Sequence, residues 1–187
     1  MSAEAIPAGP ARRVRLVILD VDGVLTDAGV YMGEDGEGRA VELKRFEILD
    51  GVGVKLLMWV GLDVAIVYGR VSAARAIRAR ELGVEECHQE PDAHKLRVVE
   101  KLLARKGVAW DEVAMLADDI PDLAVLKRVG LKAVVANATE PVIRIADWQS
   151  TRPGGRGAVR EFSDALLRAR GDLDRIVDEY VEERSRT

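Results

Sequence analysis

Cysteine, histidine and aromatic residues are scarce in this chain, and each shortage closes off a class of chemistry. One cysteine in 187 residues, Cys87, excludes an internal disulfide framework and any site built from several thiolates. The two histidines, His88 and His94, have no metal-ligand spacing to each other or to Cys87, and read as surface or pocket-edge residues. Aromatics make up 4% of the chain, and Trp59, Trp110 and Trp148 stand far apart, as packing residues do and as a stacking platform for bases does not. No apolar run approaches the roughly 20 residues that a membrane span needs. Positive charge is not in excess, the net charge being −4, so neither nucleic acid nor an anionic membrane surface is an expected partner. No glycine-rich loop follows the first apolar run, which argues against a nucleotide-binding fold. The opening MSAEAIPAGPARR lacks the apolar core of a secretory signal. Residues 1–13 are therefore expected to be a flexible lead, and the protein to be cytoplasmic.

What is present has a clear rhythm. VRLVILD (14–20), LDVAIVY (62–68), EVAMLAD (112–118) and LKAVVAN (131–137) are apolar at nearly every position, as strands are when helices cover both faces of a sheet. Between them lie the helical patterns DGVGVKLLMWVG, VSAARAIRARELG, DAHKLRVVEKLLARKG and DIPDLAVLKRVG. These end in Gly61, Gly83, Gly107 and Gly130, where helix C-termini favour a residue tolerant of positive φ. The alternation predicts an α/β fold with a doubly wound parallel sheet, and 187 residues suit one domain, expected over 14–170. GVYMGEDGEGRAVELKRF (29–46) alternates apolar and polar residues about a turn and reads as a β-hairpin flap. RPGGRGAVREF (152–162) is a glycine-rich basic loop leading into a helix, and 171–187 is expected to be a helical tail that frays.

Ligands of an open parallel sheet gather at the carboxyl ends of its strands. Asp20 closes the first strand, Asp22 follows on a turn that Gly23 permits, and Asp118 and Asp119 close EVAMLAD. If those strands are neighbours, the acids converge, and a bare cluster would hold protons at neutral pH. A hard cation relieves the repulsion, and Mg²⁺ favours a few carboxylates. One carboxylate is then free to attack phosphorus while a second, two residues on, protonates the leaving oxygen and later activates water. Asp27 reads as structural, Asp50 as the N-cap of its own helix, and Asp122 as either second in line behind the acid pair or plain surface.

DVDGVLTD (20–27) resembles the first motif of the haloacid dehalogenase superfamily of phosphatases, ADDIPDL (117–123) its fourth, and Lys95 fits the lysine of its third. FEILDGVGV, the hairpin in place of a large cap domain, and GGRGAVRE narrow the likeness to the 3-deoxy-D-manno-octulosonate 8-phosphate phosphatase family, a capless branch that assembles as a homotetramer. The resemblance implies Asp20 as the nucleophile that forms an aspartyl phosphate and Asp22 as general acid/base. Mg²⁺ would be held by Asp20, the Asp22 backbone carbonyl and Asp118, with Asp119 in support. Lys95 would hold the nucleophile and the transferring phosphoryl group. Tyr68, Gly69 and Arg70 would meet substrate, with Arg78 as a further candidate for the carboxylate of a phosphorylated sugar acid. In this family the glycine-rich segment reaches toward a neighbouring subunit's site, which makes Arg156 and Arg160 further candidates. The implied setting is lipopolysaccharide biosynthesis.

Four positions depart from the pattern. Tyr68 stands where the family has Thr or Ser, Leu49 where it has Arg, Glu90 where it has Gly, and Ala117 where it has Gly. Two readings follow: a phosphatase with a reshaped pocket, acting on the eight-carbon or a related nine-carbon sugar-acid phosphate, or a catalytically impaired module kept for assembly. Arg70 tilts the substrate toward eight carbons, since nine-carbon relatives tend to have Glu there.

Overall fold

A computed structural model describes residues 5–69, 73–90 and 94–185. In chain order its elements are α1 (Ala8–Arg13), β1 (Leu16–Leu19), β2 (Tyr31–Glu34), β3 (Ala40–Leu43), α2 (Ile48–Trp59), β4 (Asp63–Tyr68), α3 (Ala73–Leu82), β5 (Glu86–Gln89) and α4 (Lys95–Lys106). They continue with β6 (Val113–Ala117), α5 (Leu123–Leu126), β7 (Leu131–Val134), α6 (Glu140–Ile143), β8 (Trp148–Gln149), α7 (Ala158–Arg170) and α8 (Leu173–Ser185). Six strands form one parallel sheet in the order β5-β4-β1-β6-β7-β8, and β2 and β3 form a separate antiparallel pair. The expected doubly wound α/β fold is present.

Residue alternation along β1 shows why both faces are covered. Val17 and Leu19 join a core with Leu57 of α2 and Phe162, Leu166 and Leu167 of α7, whereas Leu16 and Ile18 join Val99 and Leu102 of α4 and Leu126 of α5. A central strand buried on both sides has no polar position to spare, which is why β1, β4, β6 and β7 were legible as apolar runs. The strands β5 and β8 escaped notice: ECHQ carries no apolar run, and β8 has two residues.

Two local expectations change. The lead over residues 1–13 is not loose where it is described, because α1 packs on α7, burying Ile6 and Ala11, and Arg170 donates to the carbonyls of Ala11 and Val14. Gly61, Gly83 and Gly107 do adopt positive φ at helix ends. Gly130 does not; it is small because a Cβ there would sit 2.3 Å from the backbone oxygen of Asp111.

Asp50 does not cap its own helix. It lies within α2, buried, and its carboxylate accepts from the backbone N–H of Arg160 at 2.9 Å and from those of Gly157 and Val159, so it caps the start of α7 from outside. Burial pushes its carboxyl up to about 6, against the pull of these donors. The result is a fixed joint between α2 and the glycine-rich loop that leads into α7.

Candidate active site

β1 lies between β4 and β6, with Leu19 opposite Leu116, so the chain leaves both β1 and β6 at the same edge of the sheet. Asp20 and Asp118 are thereby neighbours in space. After Asp20 the backbone makes one wide turn over Val21–Leu25, closed by Thr26 N–H to the Val21 carbonyl at 2.9 Å, with Gly23 at φ 86°. Gly23 is needed twice, since a Cβ there would also lie 1.9 Å from Oδ2 of Asp118. The glycine-rich loop packs over the same turn: Gly155 N–H donates to the Val24 carbonyl, and a Cβ on Gly154 would collide with the Gly23 carbonyl at 1.7 Å. These glycines serve the chain's own Val21–Leu25 turn. Arg156 beside them is exposed.

Lys95, at the first turn of α4, is buried to 4% exposure and stands between two carboxylates, 2.7 Å from Oδ1 of Asp20 and 2.7 Å from Oδ1 of Asp122. Burial alone would lower the lysine's affinity for its proton, but Asp20 and Asp122 outweigh it and hold the ammonium charged. Asp20, Asp118 and Asp122 each present an oxygen within 4.8 Å of the others. Asp122 is the functional residue that sequence reasoning weighed too lightly. Its place at the end of a single tight turn, Ile120–Asp122, with Asp119 capping that turn at the Ile120 N–H, folds it back under the acid pair. Asp119 itself is spent on backbone and on the Thr139 hydroxyl at 2.9 Å, so its support is to the loop.

Burial, reinforced by the charge on Asp20, raises the Asp118 carboxyl to about 8 and that of Asp122 to about 7. Oδ2 of Asp122 is buried without a hydrogen-bond partner. Three hard carboxylates, one ammonium and an orphaned oxygen fit a divalent cation of the Mg²⁺ type, held by Asp20 and Asp118 with Asp122 behind them. Because Asp118 and Asp122 bind protons more tightly in the folded chain than at the ordinary value of 3.8, the metal-free fold loses stability as pH rises from about 4 through about 8. The thermal midpoint in chelator is accordingly expected to fall over that interval, while the increment that Mg²⁺ gives grows with pH. Thermal melts in chelator and in Mg²⁺ at several pH values read this, and an increment independent of pH would contradict it.

The remaining candidates are dispersed. Tyr68 is 4% exposed and packs in the core cluster shared with α2 and α7, with its hydroxyl beside the Cys87 thiol. Gly69 follows β4, half-buried, and Arg70 lies outside the described residues. Arg78 is tied down, donating to the Glu47 carbonyl at 3.1 Å and pairing with Glu81 at 2.9 Å, over the Phe46 ring. Arg160 pairs with Asp164. Asp27 accepts from Gly29 N–H in a local turn, as its structural reading anticipates. Unforeseen is Lys44 of the flap, whose side chain is fully buried 2.8 Å from Oδ1 of Asp22.

The sequence profile of the haloacid dehalogenase-like hydrolases matches residues 89–160, which hold Lys95, Asp118, Asp119 and Asp122. The 3-deoxy-D-manno-octulosonate 8-phosphate phosphatase KdsC of Escherichia coli K12 is 41% identical over 174 residues, covering 93% of this chain and 89% of that one. This chain belongs to that phosphatase family. Among solved structures, a probable YrbI family phosphatase from Pseudomonas syringae superposes with a TM-score of 0.85 at 40% identity, covering 93% of this chain and 96% of the other. The Moraxella catarrhalis enzyme, solved with a magnesium ion, a phosphate ion and a KDO molecule, gives 0.85 at 32% identity over 92% and 97%. The family thus contains a member that holds the cation for which these acids are suited. No helix among the described residues is long and apolar enough to cross a membrane.

Proposed function

We propose that this chain is a cytoplasmic, Mg²⁺-dependent phosphomonoesterase acting on 3-deoxy-D-manno-octulosonate 8-phosphate, in the supply of lipopolysaccharide. The observation that carries the chemistry is Lys95 held between Asp20 and Asp122 beside Asp118. Asp20 attacks phosphorus, forming an aspartyl phosphate, as Asp22 gives its proton to the departing sugar oxygen. In the second half Asp22 takes a proton from water, whose oxygen bonds to phosphorus and releases Asp20. Lys95 places fixed positive charge where the phosphoryl oxygens gather it. Bound Mg²⁺ would supply further neutralisation of the phosphate oxygens.

Substrate selection rests on fewer groups than the family pattern supplies. Leu49 offers no charge, and Arg156, exposed on the loop that packs over the turn after Asp20, is a candidate to meet a sugar carboxylate. Among the described residues no large cap covers the site. Val30, Tyr31, Met32 and Leu43 of the flap and Ile48 and Leu49 beyond it are exposed, an apolar surface suited to burial against other copies in a homotetramer.

Phosphate release from a panel of eight- and nine-carbon sugar-acid phosphates, with and without Mg²⁺, tests the reading, with sedimentation for the assembly. The eight-carbon ester is expected to lead by about 10-fold in kcat/KM, as differential pocket contacts allow. Tyr68 and Leu49 favour the alternative of an impaired assembly module, and Mg²⁺-dependent turnover no higher than that of Asp20→Asn on every substrate would establish it.

A further inference from the structure

The acid turn after β6 has a second anchor, on the neighbouring strand. β6 and β7 run side by side, with Ala117 opposite Val134, so the chain leaves both at the same edge of the sheet. Beyond β7, Thr139 reaches back to the acids. Its backbone N–H donates to the Asp118 carbonyl at 2.8 Å, and its hydroxyl donates to Oδ1 of Asp119 at 2.9 Å. That same Oδ1 accepts from the Ile120 N–H at 2.7 Å, and the Asp122 N–H donates to the Asp119 carbonyl at 3.0 Å. Thr139 stands at the N-cap of α6, yet its side chain caps nothing there. A threonine in that place ordinarily accepts from the second or third N–H of its helix. Here the second residue is Pro141, which has none, and the Val142 N–H goes to the Thr139 carbonyl at 3.1 Å. The hydroxyl is thus left for Asp119. Val142 is fully buried with Val125, Leu126 and Val134, which ties Thr139 to the core.

We infer that Thr139 is a positioning residue for Asp118, holding the acid turn rigid enough to select Mg²⁺ over the larger Ca²⁺. This rests on the cation site assigned above to Asp20, Asp118 and Asp122. Asp118 is pressed from one side by the Val21–Leu25 turn, where a Cβ on Gly23 would strike its Oδ2, and is gripped from the other at its carbonyl. The Thr139 hydroxyl makes that grip two-pointed, because Asp118 and Asp119 are consecutive. It also commits Oδ1 of Asp119 to the loop, and Asp119 stands outside the converging set of Asp20, Asp118 and Asp122. Mg²⁺ demands near-ideal octahedral geometry at about 2.0–2.1 Å, whereas Ca²⁺ accepts more oxygens, less regularly placed, at about 2.3–2.6 Å. A few tenths of an ångström of freedom at Asp118 therefore penalises the smaller ion and spares the larger one.

Direct cation binding tests this without any turnover. In calorimetric titrations of the full chain, Thr139→Val keeps the side chain's shape and loses its hydroxyl. It is expected to weaken Mg²⁺ binding by roughly 10-fold, the low end for an outer partner of a ligating carboxylate, as suits an exposed bond. Ca²⁺ binding is expected to change by under about 2-fold, so the ratio of the two affinities falls. A general loosening of the fold would weaken both cations together. Thr139→Ser, which keeps the hydroxyl, is expected to restore the wild-type ratio. Asp119→Ala removes the other end of the contact, is expected to lower the ratio likewise, and stands in should Thr139→Val not fold. In an Asp119→Ala background, Thr139→Val is expected to add less than about 2-fold, since residues acting through one contact are not additive. Equal weakening of both cations, no change in either, or an undiminished effect in the Asp119→Ala background would overturn the role of Thr139 alone. Wild-type binding of Mg²⁺ no tighter than that of Asp118→Ala would overturn the cation site itself, and this role with it.

Discussion

Asp20→Asn is expected to lower turnover by on the order of 10⁴-fold or more, because removing a covalent nucleophile leaves only binding and charge stabilisation. The amide fills the same space at the end of β1 but cannot form the aspartyl phosphate. The same change should leave the metal-free fold no less stable. Asp20, Asp118 and Asp122 share the one ammonium of Lys95, so two negative charges are left over when all three are ionised. Removing one relieves the repulsion that helps raise the Asp118 and Asp122 carboxyls, and Lys95 keeps Asp122 as a partner. Activity should therefore collapse while the thermal midpoint in chelator holds or rises and the increment from Mg²⁺ shrinks. Steady-state kinetics and melts on one preparation check both halves. Retention of more than a few per cent of wild-type turnover would remove Asp20 from the role of nucleophile.

That opposition between function and stability also explains what could be read from the sequence. β1, β4, β6 and β7 are apolar because they are covered on both faces, and the acids at the ends of β1 and β6 break that pattern where a ligand must be met. Asp20, Asp22 and Asp118 stood out for that reason, whereas Lys95, at a helix start, stood out only through its likeness to the family's third motif. Asp122 stood out less, because an acid one turn after an acid pair has the same pattern whether it faces solvent or folds under the site. Lys44 was hidden for a related reason: a lysine in an alternating hairpin is ordinarily solvated, and only the docking of the flap at Thr26 and Phe46 turns it inward. Asp50 shows a third limit. An aspartate near a helix start is a local capping signal, yet the N–H groups it serves belong to α7, more than a hundred residues away in sequence. Tyr68 follows from the fold as well, since the face of β4 on which it falls is the core face shared with Val64 and Ile66.

Lys95→Met should damage both chemistry and fold, and pH separates the two. The methionine stem occupies the lysine's path but leaves Asp20 and Asp122 buried with no cation, and breaking a buried pair in this way costs about 3–5 kcal/mol. That figure applies where the acids are ionised. At low pH Asp122 takes up a proton instead, the more readily because it is already raised to about 7 with Lys95 present, and Lys95 is among the groups pulling it down. Asp122 in the variant therefore has a folded value further above 3.8 than in the wild type. By the same sign, stability is kept below the ordinary carboxylate value and lost as pH climbs through the raised one. Denaturant titrations in chelator are expected to show a deficit for Lys95→Met that is largest near pH 8, shrinks toward pH 5, and is partly repaired at pH 8 by Mg²⁺. Turnover at saturating Mg²⁺ should still fall by roughly 10²–10³-fold, since the fixed charge at the phosphoryl oxygens is gone. A deficit of the same size at every pH would mean that the lysine is held there for its packing, and that Asp20 and Asp122 do not depend on its charge.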